Sequence, residues 1–246
     1  MKYIRSVLTA FCFALFGVGG LIIGTLIFPV VILFFPKKKR RVILSDVVHY
    51  SWILFVKIMS GLHLIGIQKT LDLKNLCGTI IIANHPTLLD IVLLISMIPH
   101  CVCVVKGALA HNFFIRHIIR RLYLVNDDDL SRFLNEAETC LADGLNVIIF
   151  PEGTRTDFSK KTPRLFRGFA HLAVRTRVPI LPVKIQCTPQ ILGKGQKWFD
   201  VGTRRVMYAF ETRSMIKIPP VRGQTPHVMV KKITQQATQE LFEKND

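Results

Sequence analysis

Acidic residues, paired cysteines and a serine nucleophile motif are what this chain of 246 residues lacks. Asp and Glu number 16 against 33 Lys and Arg, leaving a formal net charge of +17. An excess of that sign attracts polyanions, whether nucleic acid, anionic lipid surfaces, phosphorylated substrates or acidic carrier proteins, and does not choose among them. Cys12, Cys77, Cys101, Cys103, Cys140 and Cys187 contain no C-x-x-C pair. That spacing argues against a zinc site or a disulfide framework and for buried free thiols in a reducing compartment. There is no G-x-S-x-G, hence no nucleophile elbow. Internal repeats and low-complexity linkers are missing too, and the length fits one large domain or one domain plus an appendage.

Apolar sequence, by contrast, is abundant. It makes up 50% of the chain, and the mean hydropathy of +0.37 implies that part of the chain meets lipid. Residues 6–35 carry no charge, and they exceed the roughly 20 residues a helix needs to span a bilayer. The run is too long for a cleavable signal peptide and no A-x-A site follows it. Gly17, Gly19, Gly20 and Gly24 can bend it, so a tilted span and a re-entrant hairpin both remain open. PKKKRRV (36–42) comes next. Taken alone, it is a nuclear-import or nucleic-acid patch. Directly after an apolar segment, it is instead the cytoplasmic flank expected of a membrane helix and a binder of anionic headgroups. If 6–35 spans, everything from residue 37 onward is cytoplasmic. Residues 47–65 suggest a second helix, whose Tyr50, Trp52 and Lys57 suit a membrane interface; an ordinary core helix fits the same pattern.

The character of the chain then changes. Apolar runs of strand length occur at 79–83, 101–105, 146–150 and 180–185, with helical patterns between them. In 130–143, Leu130, Phe133, Leu134, Ala137, Cys140 and Leu141 recur at helical spacing, and Gly144 follows as a stop. Near-continuous apolar strands alternating with helices imply an α/β fold, a mostly parallel or mixed sheet flanked by helices. The expected division is 1–65 as N-terminal membrane-associated helices and 66–246 as the α/β domain. In such sheets, function sits in loops beyond the carboxyl ends of the strands.

Two polar clusters lie there. In GTIIIANHPTLLDI (78–91), His85 follows a strand and Asp90 falls in the first turn of a predicted helix with Thr87 as N-cap. Asp90 as a helix-start carboxylate and His85 as a turn residue would be ordinary local structure. The same geometry also allows the His85 ring to fold back onto Asp90. That would fix one tautomer and leave the other ring nitrogen as a base poised near neutral pH. With no nucleophile motif nearby, such a base would activate a substrate hydroxyl directly. The second cluster is FPEGTRTDFSKKTPRLFRG (150–168). Pro151 and Gly153 shape a turn that carries Glu152 and Arg155, with Lys160, Lys161, Arg164 and Arg167 close behind. An arginine fork at a strand end suits a phosphate; a solvated basic loop has the same composition.

These residues resemble a known family. NHPTLLD is similar to the N-H-x-x-x-x-D block of the lysophospholipid acyltransferases, the bacterial 1-acylglycerol-3-phosphate acyltransferase group. FPEGTR resembles its second signature, LFRGFAHLA (165–173) its F-K-x-G block with Arg167 in the lysine's place, and VPILPVKI (178–185) its V-P-I-x-P-V block. The segment from Lys106 to Val125 stands where the remaining, weaker block falls. The resemblance implies acyl transfer from an acyl thioester, acyl-CoA or acyl carrier protein, to the hydroxyl of a lysolipid such as 1-acylglycerol 3-phosphate. His85 would be the general base and Asp90 its orienting partner. Glu152, Gly153, Thr154 and Arg155 would bind the acceptor's phosphate, with Arg167 among the substrate-binding residues. Lys106 or backbone N–H groups near His85 would face the oxyanion, and Pro182 would shape the floor of the site. No metal and no cofactor beyond the acyl donor is implied, and no nucleic acid. The N-terminal helices would dock the enzyme on membrane lipids, at the cytoplasmic face of a bacterial inner membrane, with acyl chains entering a tunnel from the bilayer. Ornithine lipids or glycolipid intermediates are alternative acceptors, since the family includes such members. A non-catalytic binder of anionic lipid or nucleic acid is the reading from outside the enzyme class.

Overall fold

The computed structural model describes residues 2–69, 71, 73, 75–126, 129–157, 163–197, 202–218 and 225–243. Its centre is a run of β-branched residues. Strand β2 (Ile80–Ala83) is buried along its whole length and lies between β5 (Asn146–Ile149) and β6 (Ile180–Thr188), parallel to both. A strand covered on both faces has no polar alternation, so it reads as one apolar run. Beyond β5 come β3 (Cys101–Lys106) and β4 (Leu124–Asn126), again parallel. Beyond β6 come β7 (Val206–Thr212), antiparallel to β6, and β1 (Ile65–Lys69), parallel to β7. The order is β1-β7-β6-β2-β5-β3-β4. The expected α/β class, a mixed sheet flanked by helices, is what forms. Three strands were not anticipated: β1, β4 and β7 are short or carry polar residues, and each is defined by a partner distant in sequence.

Helix α1 (Lys2–Ile22) passes through a π-helical turn (Ile23–Ile27) into α2 (Phe28–Phe34), making one continuous rod. The chain reverses only at Phe35 and Pro36, so the re-entrant hairpin within 6–35 does not form. The glycines serve packing instead. A Cβ on Gly24 would lie 2.8 Å from the Cβ of His117, and one on Gly20 would lie 3.1 Å from the carbonyl oxygen of Phe114. The Gly24 carbonyl accepts a bond from Arg121 Nη1 at 3.1 Å. Helix α3 (Lys37–Gly61) begins ten residues earlier than the predicted 47–65 and takes the basic run 37–41 as its first turns. Lys and Arg are good helix formers, and Arg40 and Arg41 are tied down by bonds to the Phe35 carbonyl and to Cys140 Sγ. Trp52 of α3 stacks on Phe16 of α1, with ring centroids 5.2 Å apart. Tyr50 and Leu54 point outward.

The remaining helices are α4 (Asp90–Met97), α5 (Arg116–Leu122), α6 (Leu130–Ala142), α7 (Gly168–Thr176) and α8 (Pro226–Phe242). One continuous core joins the rod to the sheet, from Cys12, Phe28 and Val31 through Leu44 and Phe55 to the isoleucines of β2. Cys12, Cys101, Cys103 and Cys140 are buried as expected; Cys77 is exposed in the loop before β2, and Cys187 is half-buried. Replacing Gly24 by leucine is expected to lower stability by about 1–3 kcal/mol through overpacking against α5. Gly19→Leu, where a Cβ meets nothing within 4 Å, is expected to change it little; thermal unfolding of the two variants in the same detergent makes the comparison.

Candidate active site

The carboxyl ends of β2, β3, β5 and β6 share one edge of the sheet because these strands are parallel. Register then brings the two polar clusters together. Ile82 of β2 pairs with Ile149 of β5, and His85 and Glu152 each follow three residues later. Asn84 sets the point of departure. Its side chain mimics a further ladder residue, donating from Nδ2 to the Ile185 carbonyl at 2.9 Å and accepting from the Ile185 N–H at 2.7 Å.

His85 is held from both ends. Its N–H is shared between Glu152 Oε1 at 3.1 Å and Thr156 Oγ1 at 3.0 Å, and its carbonyl accepts the Thr156 N–H at 2.7 Å. The Thr156 hydroxyl in turn donates to Glu152 Oε1 at 2.6 Å. The imidazole lies against the Phe150 ring at 4.3 Å between centroids, with 24° between planes. Its Nδ1 lies 2.8 Å from Asp90 Oδ2, and the two side chains are 18% and 0% exposed. An ionised carboxylate only accepts, so Nδ1 carries the hydrogen and Nε2 keeps its lone pair.

Asp90 accepts two more bonds at 2.7 Å, the Thr87 N–H on Oδ2 and the Thr87 hydroxyl on Oδ1. Having given its hydrogen to Asp90, the Thr87 hydroxyl accepts from the Leu89 N–H at 3.2 Å and from the Tyr208 hydroxyl at 3.1 Å. The result is a buried chain, Tyr208–Thr87–Asp90–His85, ending at the imidazole Nε2, which makes no hydrogen bond among the described residues. Thr87 thus makes capping-box bonds, but α4 itself starts at Asp90, not at Thr87. Burial pushes the Asp90 carboxyl above its ordinary range, while the bonds from His85 and Thr87 pull it back down. Burial likewise raises Glu152, against its bonds from Thr156 and His85.

The other predicted site residues fall in different places. Glu152 is buried, with its carboxylate turned inward to support the His85 main chain. Gly153 has φ +62, and a Cβ there would lie 2.7 Å from the Phe166 ring, so this turn requires glycine. Thr154 is exposed. Arg155 donates from Nη1 to the carbonyls of Leu192 and Gly193, both at 2.8 Å. Lys106, Arg164 and Arg167 are exposed and, among the described residues, make no hydrogen bond to His85, Asp90 or Glu152. Lys160 and Lys161 lie outside the described residues. Pro182 sits in β6 opposite Ile82, beneath the cluster. The described residues contain no group of three or more His, Cys, Asp and Glu placed to hold a metal ion. The parts not anticipated are Phe150, Thr156 and Tyr208. Tyr208 stands 121 positions from Thr87, and only the sheet joins them.

An apolar cavity of about 310 Å³ opens beside this cluster. Leu88 and Leu89, between His85 and Asp90, line it together with Phe13 and Phe16 of α1, Trp52 of α3 and Leu192.

The acyltransferase family model matches residues 65–186, which hold both clusters, and the chain belongs to this family. Human 1-acyl-sn-glycerol-3-phosphate acyltransferase alpha is 28% identical over 156 residues, 60% of this chain and 52% of that protein. The human beta enzyme is 31% identical over 134 residues, 50% and 47% of the two chains. The chain spans about half the length of the curated relatives it matches. The crystal structure of the 1-acyl-sn-glycerophosphate acyltransferase PlsC from Thermotoga maritima superposes over 100% of both chains with a TM-score of 0.69 at 22% identity, showing a shared fold.

Because burial holds Glu152 above the range of a free carboxyl, the folded chain binds more protons than the unfolded chain in weak acid. Stability from this group is therefore full below the unfolded value of about 4.3 and is lost as pH rises through the folded value. Glu152→Gln is expected to flatten the slope of unfolding free energy against pH in that window, as measured by denaturant titrations at a series of pH values.

Proposed function

We propose that this protein is a membrane-associated O-acyltransferase. It would move a fatty acyl group from an acyl thioester, acyl-CoA or acyl carrier protein, to the free hydroxyl of 1-acylglycerol 3-phosphate, giving phosphatidate. The observation that carries this reading is His85, its ring 18% exposed and its Nδ1 fixed on a buried carboxylate, in the turn whose Leu88 and Leu89 line the apolar cavity. Nε2 takes the proton of the acceptor hydroxyl as its oxygen bonds to the thioester carbonyl carbon. The charge that forms on the imidazole is stabilised by Asp90. The tetrahedral oxyanion collapses, the C–S bond breaks, and the proton passes from Nε2 to the leaving thiolate. No covalent enzyme intermediate is needed. Among the main-chain amides of 85–89, those of His85, Thr87 and Leu89 are already bonded and Pro86 has none. The Leu88 N–H is thus the main-chain donor left for the oxyanion.

On this reading the apolar cavity receives the acyl chain, and the relatives act on acylglycerol phosphates by name. Arg155 presents a guanidinium to the acceptor phosphate. For the membrane, two helices are long and apolar enough to cross: Tyr3–Phe34 with mean hydropathy 2.4 and Lys37–Gly61 with 1.6. The rod packs along the rest of the chain from Arg5, which donates to the His63 carbonyl, to the buried Val31. Its outer face shows Ile4, Val7, Phe11, Val18, Leu26, Val30 and Leu33. A helix lying along its own domain on one side and bare on the other suits insertion into one leaflet better than a free span. The cytoplasmic face of a bacterial inner membrane, with the basic start of α3 on anionic headgroups, is the setting we assign.

Membranes carrying the protein, given labelled acyl-CoA or acyl carrier protein with lysophosphatidate, are expected to form phosphatidate. His85→Ala should reduce the rate by about 10²–10⁴-fold with the fold intact. Thr87→Val, which breaks the chain behind Asp90, should lower kcat by about tenfold, the equivalent of one lost hydrogen bond to a charged group, and leave the acceptor KM unchanged. Equal product from wild type and His85→Ala would remove His85 from the mechanism.

A further inference from the structure

The acyl-transfer reading gives Arg155 a single task, the acceptor's anion. The structure already employs this side chain elsewhere. Both hydrogen bonds it makes leave from one nitrogen, Nη1, and end on consecutive carbonyls, Leu192 and Gly193. Nη1 carries two hydrogens, so that nitrogen is saturated. Nε and Nη2, the side-on edge that forks an oxyanion, make no bond among the described residues.

The segment that Nη1 grips is not a neutral piece of surface. Ile191 and Leu192 are 8% and 4% exposed and form part of the wall of the apolar cavity that Leu88 and Leu89 also line. Leu192 has φ +52, a left-handed conformation that a bulky residue adopts only when its surroundings impose it. The constraints are visible: burial of the side chain in the cavity wall, and the two bonds from Arg155. Lys194 adds a weaker tie to Asp157 at 3.4 Å, with 52% and 29% of the two side chains exposed, and this solvent-facing pair carries little.

We propose that Arg155 is a specificity-determining residue for the acyl chain as well as a ligand for the acceptor. One nitrogen clasps the 189–193 segment and fixes the cavity wall; the opposite edge receives the anion. The choice of acyl chain and the capture of the headgroup are thereby joined in one planar group. Lysine at this position could meet the anion as a point charge but could not present a rigid double donor to the two carbonyls while doing so.

The proposal rests on the acyl-transfer reading, so the test has one readout that needs the reaction and one that does not. Wild type, Arg155→Lys and Arg155→Gln are given mixtures of short and long saturated acyl thioesters with lysophosphatidate, and the ratio of products is measured beside the acceptor KM. The same preparations, without substrate, are treated with trypsin, and the cut after Lys194 is followed by mass spectrometry. Both variants are expected to raise the acceptor KM and to shift the long-to-short product ratio by about tenfold, the scale of one methylene's contact in an apolar pocket. The cut after Lys194 should accelerate by about tenfold, reflecting the lost bonds to a charged group, while cuts elsewhere keep the wild-type rate. Arg155→Lys, which retains the charge, is the decisive variant if Arg155→Gln is cut indiscriminately. A raised KM with an unchanged product ratio would overturn the proposal, leaving Arg155 an anion ligand alone; so would a Lys194 cut at the wild-type rate. No product from the wild type with any donor would instead overturn the acyl-transfer reading. The two failures are distinct because the proteolysis arm uses no substrate.

Discussion

The site depends on one expensive act, the complete burial of the Asp90 carboxylate. Removing such a group from water costs several kcal/mol even after relaxation, and only well-placed donors offset that cost. Three are supplied, and two come from Thr87, three residues upstream. The chain between His85 and Asp90 must therefore close on itself, and the closure also satisfies the Thr87 and Leu89 N–H groups just ahead of α4. The third donor is the His85 ring. Satisfying the carboxylate and orienting the imidazole are the same event, and no further device is needed to choose the tautomer.

That local closure would be idle without something to hold the His85 main chain. The hold comes from the loop after β5, whose Glu152 and Thr156 bind the His85 N–H and carbonyl. Glu152 shows how a residue in a signature block can serve the site without facing the substrate. Its carboxylate is half of a support for the base, and burial raises its proton affinity as the consequence of that placement. The adjacency follows from parallel pairing of β2 with β5. An antiparallel partner would have sent its following loop to the opposite edge.

Much of this was legible in the sequence, and the limits have physical causes. The four apolar strands announced themselves because a strand buried on both faces has no choice of composition. His85 and Asp90 were legible because five residues is a local separation, within reach of a turn and one helical cap. Strands β1, β4 and β7 were not, since IGIQK, LVN and VMYAFET become strands only through partners elsewhere in the chain. Tyr208 escaped for the same reason: a tyrosine on a strand is unremarkable until β7 reaches across β6 to set its hydroxyl beside Thr87. The start of α3 was misjudged because a basic run after an apolar one reads as a membrane flank, although its residues favour helix on their own. The sequence chemistry of Arg155 led to the expectation of an anion ligand, while its bonds to Leu192 and Gly193 depend on a segment whose conformation no local pattern announces.

The N-terminal rod has two distinct apolar faces. Its Cys12, Phe13 and Phe16 line the cavity, while Val7, Phe11 and Val18 are more than half exposed. Only 28% of its most apolar window is buried within the molecule, leaving an uncovered apolar surface that a water-exposed protein does not ordinarily tolerate. On the membrane-associated reading proposed above, bilayer hydrocarbon against the outer face and the apolar cavity on the inner face would be separated by the thickness of one helix. On the proposed reaction, an acyl chain would pass between two media of like polarity, and the free-energy cost of drawing it through water would not arise. The glycines at 20 and 24 serve this arrangement directly. By letting the rod approach α5 and the loop before it, they keep the rod packed against the protein on that side.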